Sequence, residues 1–178
     1  MKITLVRHGE VDRRYLGAYN GHIDISLSHT GHAQALALAQ KFQNRDFDAY
    51  FCSDLLRAKE TLAPLHVRAL YSQKLREKSW GAHEGMRYEE IVQSEGIGYK
   101  DFYQWLEVLD GENYLHFIAR VKKFFYEELP VMGHEDVFIM THSGVIRVLH
   151  HLHKGISLEE AFSLNVPYAG VFNFELTH

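Results

Sequence analysis

Lys2 to Glu10 reads KITLVRHGE: an apolar run, Ile3-Thr4-Leu5-Val6, that breaks off at Arg7-His8-Gly9. A short apolar run with β-branched residues reads as a buried parallel strand, because strands of such sheets are covered on both faces. In open α/β sheets the ligand sits just outside the carboxyl ends of the strands. A cation, an imidazole and a glycine placed there make an anion site, with Gly9 admitting a close backbone approach to the ligand. Taken alone, the tetrapeptide also fits an ordinary surface turn, so the other strand ends have to decide.

Two further junctions repeat the pattern. Asp48 to Cys52 (DAYFC) is a short buried strand that runs into Ser53-Asp54, residues of the capping type, and then a helix from about Leu55 to Ala63. Arg57 therefore falls in that helix's first turn. Asp136 to Thr141 (DVFIMT) is another apolar run, leading straight into His142-Ser143-Gly144 and a helix that carries Val145, Val148, Leu149 and Leu152 inward and stops at Gly155. Parallel βαβ connections bring such junctions to one edge of a sheet. Arg7, His8, Arg57 and His142 then converge, with helix N-termini near Ser53 and Ser143 adding oriented N–H groups. Guanidinium forks match phosphate oxygens in pairs. One imidazole can be neutral and nucleophilic while the other helps stabilise charge, and a departing alkoxide would need a carboxyl as acid.

Between these junctions, Val11 to Leu27 is a long mixed loop, and Ser28 caps a helix through Phe42 with Gln34 and Lys41 outward. Val67 to Tyr71 is a candidate strand, and Leu75-Arg76-Glu77 opens a glycine-punctuated loop. Arg87 to Leu109 holds helical segments with Tyr88, Tyr99, Phe102, Tyr103 and Trp105, either core or a lid over the pocket. Asn113 to Leu129 is one amphipathic helix with Phe117, Ile118, Val121, Phe124, Phe125 and Leu129 on a face. Ser157 to Glu160 has capping-box spacing for a short helix, and the alternation of Phe172, Phe174 and Leu176 predicts an antiparallel edge strand.

Arg7-His8-Gly9-Glu10, the SDLLRAKET run from Ser53, Leu75-Arg76-Glu77 with its glycine-rich sequel, and Thr141-His142-Ser143-Gly144 together resemble the histidine phosphatase (phosphoglycerate mutase-like) superfamily. Order and spacing match from Lys2 to about Leu176. The resemblance implies a three-layer α/β/α sandwich with a mostly parallel, mixed sheet and helices on both faces. It implies one domain over 1–178 with a helical cap at about 86–112. His8 would be the nucleophile that becomes phosphohistidine, with Arg7, Arg57 and His142 holding the phosphoryl group and Glu77 donating the proton. Asn20 and Gly21 would line the pocket, with Ser143 at the adjoining helix start, and Glu84 would be structural. The scheme needs no metal and no cofactor.

Two departures stand out. Members usually carry Asn where this chain has Arg14, which could donate to phosphate instead, and His83 replaces a usual aromatic after the acid. Cofactor-dependent phosphoglycerate mutases share the motifs but are substantially longer. Tyr19-Asn20-Gly21-His22 and the Gly111-Glu112 step look more like bacterial α-ribazole phosphatases, whose features recur in broad-specificity members. The expected activity is hydrolysis of a small phosphorylated metabolite. The alternatives are mutase-type phosphoryl transfer and a non-catalytic domain that binds a phosphorylated ligand or protein.

Composition narrows the classes. The formal charge of −4 over 178 residues argues against general nucleic-acid binding. Cys52 is the single cysteine, so no internal disulfide can form and a reducing compartment is expected. No signal-type n-region and h-region opens the chain and no apolar stretch is long enough for a bilayer, so a cytoplasmic protein without a membrane partner is expected. His150 and His153 share a helical face, yet no carboxylate or cysteine completes a tetrahedral metal set. Neither a Gly-x-Ser-x-Gly elbow nor a Walker-type phosphate loop is present.

Overall fold

The computed structural model describes residues 1–176. Strands β1 (Lys2–Arg7), β2 (Ala49–Ser53), β3 (Ala69–Ser72), β4 (Asp136–Thr141) and β5 (Val171–Glu175) form one sheet in the order β3-β2-β4-β1-β5. The first four are mutually parallel, and β5 runs antiparallel along β1 with Thr4 opposite Asn173. The sheet is mixed and mostly parallel, as expected. The edge strand β3 begins at Ala69, two residues later than the apolar run suggests, and Leu70 and Tyr71 are exposed. An outermost strand lacks a second neighbour to bury its side chains.

The apolar runs are continuous because the sheet is covered twice. Side chains alternate along a strand. On one face Ile3, Leu5, Phe51, Val137 and Ile139 pack under α5 (Tyr114–Lys123) and α6 (Ser143–Lys154), against Val121, Phe125, Val145 and Leu149. On the other, Val6, Cys52, Phe138 and Met140 meet Leu38 and Phe42 of α1 (His29–Phe42) and Ala58 and Leu62 of α2 (Leu56–Leu62). Each such side chain contributes about 1.5–3 kcal/mol on full burial. The result is the three-layer α/β/α sandwich.

Local signals place the helices well. The Ser28 hydroxyl accepts from the Gly31 N–H at the start of α1, and Gly155 ends α6 with φ 65°. Ser157 and Glu160 form the reciprocal cap of α7 (Leu158–Ser163). Two details differ from expectation. Gln34 is not a free outward residue, because its side-chain oxygen accepts the Glu10 N–H at 2.8 Å. The segment from Asn113 to Leu129 is α-helical only to Lys123 and then widens into a π-turn over Phe124–Glu128, where the Leu129 N–H reaches the Phe124 carbonyl. Phe124, Phe125 and Leu129 are all in the core, as their spacing predicts, while the widening of the last turn has no signal in that spacing.

Residues 86–112 carry α3 (Tyr88–Glu95) and α4 (Phe102–Val108). Among the described residues no helix is long and apolar enough to cross a membrane.

Candidate active site

Parallel register brings Arg7 opposite Thr141, and Val6 and Cys52 both opposite Met140, so β1, β2 and β4 end at one level. The residues just beyond that level build the site. A pocket of about 360 Å³ opens there, with Arg7, His8, Arg57 and Glu77 in its wall.

His8 is almost wholly buried. Its Nδ1 lies 2.8 Å from the Gly9 carbonyl, which can only accept, so Nδ1 carries the ring proton and Nε2 keeps a lone pair. Burial first, then the Arg57 and Arg7 charges, hold its pKa well below the usual imidazole range. His8 is thus a neutral imidazole beneath two guanidiniums. Gly9 does not line the pocket; a Cβ there would lie 2.8 Å from the Gly31 carbonyl oxygen. The close approach it permits is to the start of α1, not to a ligand.

His142 packs beside His8 with ring centres 5.0 Å apart and is completely buried. Its Nε2 lies 2.8 Å from the Ser53 hydroxyl. The same hydroxyl accepts the Leu55 N–H at 3.4 Å. Ser53 therefore orients the second imidazole. The start of α2 is flanked instead by Leu55, which has no side chain to cap it. Burial, then Arg57 and His8, keep His142 neutral as well.

Arg57 is 1% exposed and donates from Nη1 to the Ile23 carbonyl and from Nη2 to the Gly21 carbonyl. Burial brings its pKa down to about 10, and it stays charged at neutral pH. Arg7 donates to the Val166 carbonyl and lies 3.8 Å from the Tyr168 ring centre. Among the described residues, Arg7 Nε and Arg57 Nε are buried donors with no protein partner, and His142 Nδ1 is a buried ring nitrogen without one. An unsatisfied buried donor costs about 1–3 kcal/mol. Two guanidiniums with such donors beside His8 suit the oxygens of one tetrahedral anion.

Glu77 is fixed from α6: the Gly144 N–H donates to its Oε2 at 3.0 Å, the Ser143 hydroxyl at 3.3 Å, and the Lys78 N–H to its Oε1 at 3.0 Å. A Cβ on Gly144 would fall 2.0 Å from Glu77 Oε1, so any larger residue there displaces the carboxyl. Asn20, Gly21 and Ser143 also line the pocket. Gly21 has φ +46°, and a Cβ there would collide with Glu84 Oε1. Glu84 accepts from His22 N–H, the Ser79 hydroxyl and Trp80 N–H, which ties the two loops together.

Two predicted residues do not line the pocket: His142, which is buried against His8, and Arg14. Arg14 is exposed, with its guanidinium 5.5 Å from its neighbour Tyr15's ring centre and its carbonyl accepting from Arg87. A 3-10 turn over Arg13–Tyr15 carries its side chain to solvent. His150 and His153 pack on Phe174, and among the described residues no cluster of His, Cys, Asp or Glu could hold a metal. The aromatic segment divides: Tyr88 and Trp105 line the pocket, Tyr99 packs on Tyr88 at 4.6 Å between ring centres, and Tyr103 is exposed.

Several pocket residues gave no sequence signal. Tyr168 stacks on Arg7 and lies 5.8 Å from His8 between ring centres; the next residue, Ala169, takes the left-handed φ of 56° while its N–H donates to the His8 carbonyl. The turn-forming Pro167 and Gly170 around them were the available clue. Arg147, Tyr114 and Phe162 also reach the pocket from α6, α5 and α7. Lys78 is buried outside it, with Nζ 4.0 Å from the Trp80 ring centre and 2.9 Å from the Ser79 carbonyl, and burial lowers its pKa to about 8.

A family model, the histidine phosphatase superfamily (branch 1), matches residues 3–178. A "probable phosphatase" of Schizosaccharomyces pombe is 35% identical over 156 residues, covering 84% of this chain and 71% of that protein. The adenosylcobalamin/alpha-ribazole phosphatase of Escherichia coli is 26% identical over 156 residues, covering 84% and 77%. The solved alpha-ribazole phosphatase from Shigella flexneri superposes with a TM-score of 0.86 at 24% identity, covering 99% of this chain and 91% of that one, a likeness of fold.

Proposed function

This chain belongs to the histidine phosphatase superfamily, and from that premise we propose that it hydrolyses a small phosphomonoester in two steps through a phosphohistidine at His8. The observation that carries the reading is the His8 ring: Nδ1 is committed to the Gly9 carbonyl, and Nε2 is a lone pair on a neutral imidazole facing a basic pocket. In the first step Nε2 attacks phosphorus, the N–P bond forms, and the P–O bond to the alcohol breaks. The departing oxygen takes a proton from Glu77. Arg7, Arg57 and His142 stabilise the charge on the non-bridging oxygens. In the second step Glu77 accepts a proton from water as its oxygen attacks phosphorus, and the N–P electron pair returns to Nε2. No step calls on a metal.

Residues 86–112 act as a cap, because Tyr88 and Trp105 form part of the pocket wall. The substrate named by the Escherichia coli relative, α-ribazole phosphate, is the first candidate for this pocket. A single buried, reduced Cys52 fits a cytoplasmic enzyme. The test is hydrolysis in EDTA of a panel holding α-ribazole phosphate, phosphoglycerates and simple alkyl phosphates. Release of inorganic phosphate at undiminished rate in EDTA is expected. Turnover that stops with the chelator and returns with a divalent ion overturns the mechanism, and isomerised phosphoglycerate in place of free phosphate would favour phosphoryl transfer.

A further inference from the structure

Arg7, Arg57, His8 and Glu77 line one part of the pocket, with His142 packed against His8; much of the rest is built from rings. Tyr19, Trp80, Tyr88, Trp105, Tyr114 and Phe162 all line it, from four helices and two loops. We propose that this part is a subsite for a flat, unsaturated ring carried on the alcohol of the phosphomonoester, with Trp105 and Tyr19 as its specificity-determining residues. The inference rests on the phosphomonoesterase reading for the position of the phosphate and adds the chemistry of the leaving group.

The rings are arranged as a continuous wall. Tyr19 lies 4.9 Å from Trp80 and Trp80 lies 5.5 Å from Trp105, while Trp105 continues to Phe162 at 5.8 Å, all between ring centres. The polar atoms of the central pair are spent on each other: Trp105 Nε1–H donates to the Tyr19 hydroxyl at 2.9 Å. That bond joins the loop after β1 to the cap helix α4, so the pair offers its π-faces and edges more than its polar tips. From behind, the buried Lys78 ammonium holds Trp80 by a cation–π contact and ties the Ser79 carbonyl. An interlocked wall of this kind is preorganised, so a ring that stacks on it loses little to ordering the protein.

Charge supports the same class. Beyond the phosphate clamp the pocket wall holds one more cation, Arg147, and one more acid on the cap, Glu89. Arg147 already donates to the Leu164 carbonyl from Nε and Nη2 and lies over Phe162 at 5.6 Å. Glu89 is solvent-exposed. Recognition of an amino-acid or sugar-acid leaving group would ask a carboxylate to compete with the Leu164 carbonyl for Arg147, the one cation beyond the phosphate clamp among the lining residues. A planar heterocycle or phenyl ring asks only for the faces on offer.

The experiment reads binding and not turnover, so it stands whether or not the mechanism above is right. Isothermal titration of the full chain compares three non-hydrolysable phosphonates: 2-phenylethylphosphonate, its saturated twin 2-cyclohexylethylphosphonate, and 2-amino-4-phosphonobutyrate, which mimics phosphoserine. Stacking on two ring faces predicts that the phenyl compound binds about tenfold more tightly than the cyclohexyl one. In Trp105→Leu that ratio falls towards one, and in Tyr19→Phe, which removes only the hydroxyl, it is reduced. Equal affinity of phenyl and cyclohexyl compounds for the unaltered protein overturns the proposal, and that arm needs no variant to fold. Tighter binding of the amino-acid phosphonate also overturns it, and so does failure of all three to bind.

Discussion

Gly144→Ala separates the acid from the rest of the machinery. Gly144 lies in the first turn of α6 with ordinary helical surroundings, so alanine there is favoured by up to about 1 kcal/mol in helix propensity. Its Cβ, however, would sit 2.0 Å from Glu77 Oε1, where 3.4 Å is the start of ordinary contact. The carboxyl has to move by more than about 1 Å, and the Gly144 N–H bond to Oε2 is lost or stretched. A displacement of that size costs roughly a hundredfold in a positioned catalytic group, at the low end of the 10²–10⁴ that general acids supply. The expected protein is therefore folded, with a melting temperature near that of the parent, and kcat/KM for an alkyl phosphate about a hundredfold lower. With 4-nitrophenyl phosphate, whose leaving group departs without a proton, the loss should be less than about tenfold. Calorimetry, and kcat/KM with both substrates, give the answer. A folded Gly144→Ala enzyme with parental kcat/KM on the alkyl phosphate, or with equal losses on both substrates, would refute the role given to Glu77.

Two more expectations follow from the imidazoles. The folded-state pKa values of His8 and His142 are depressed, so the unfolded chain binds more protons, and stability rises with pH in the window below 6.5. Each ring contributes its full share above pH 6.5, and that share is lost by about 1.4 kcal/mol per pH unit as pH falls towards the folded pKa. Denaturant melts from pH 7 to 5 should show the decline, and His8→Gln should make it shallower; identical slopes would contradict buried neutral His8. Ser53→Ala removes the hydroxyl partner of His142 Nε2. It should cost about 1–3 kcal/mol of stability and roughly tenfold in kcat with KM little changed; unaltered kcat would show that Ser53 does not orient the ring.

The convergence of Arg7, His8, Arg57 and His142 was legible in the sequence because strand ends carry these residues. Arg7, His8, Arg57 and His142 each sit within a few residues of an apolar run, and register alone brings the runs level. The unbroken apolar run of DVFIMT, whose residues go to two cores, likewise pointed to a sheet covered on both faces. The leaving-group end was less legible. Tyr114, Arg147 and Phe162 come from separate elements whose only common property is where packing puts them. Arg14 lies outside the pocket for a local reason, since backbone turn geometry and not residue type decides where a loop side chain points. Asn20 and Gly21 line it because the Gly21 carbonyl is tied to Arg57 and the loop is held against Glu84.

The central claim is covalent, and rapid chemical quench tests it most directly. Enzyme mixed with excess labelled alkyl phosphate is stopped in alkali within the first turnover, and the protein is digested and sequenced for label. The account predicts phosphate on the peptide containing His8, stable in base, labile in acid, formed and lost at rates that match turnover, and absent from folded His8→Ala protein. Turnover by the parent enzyme with no labelled protein at any quench time, together with retained hydrolysis by His8→Ala, would contradict it.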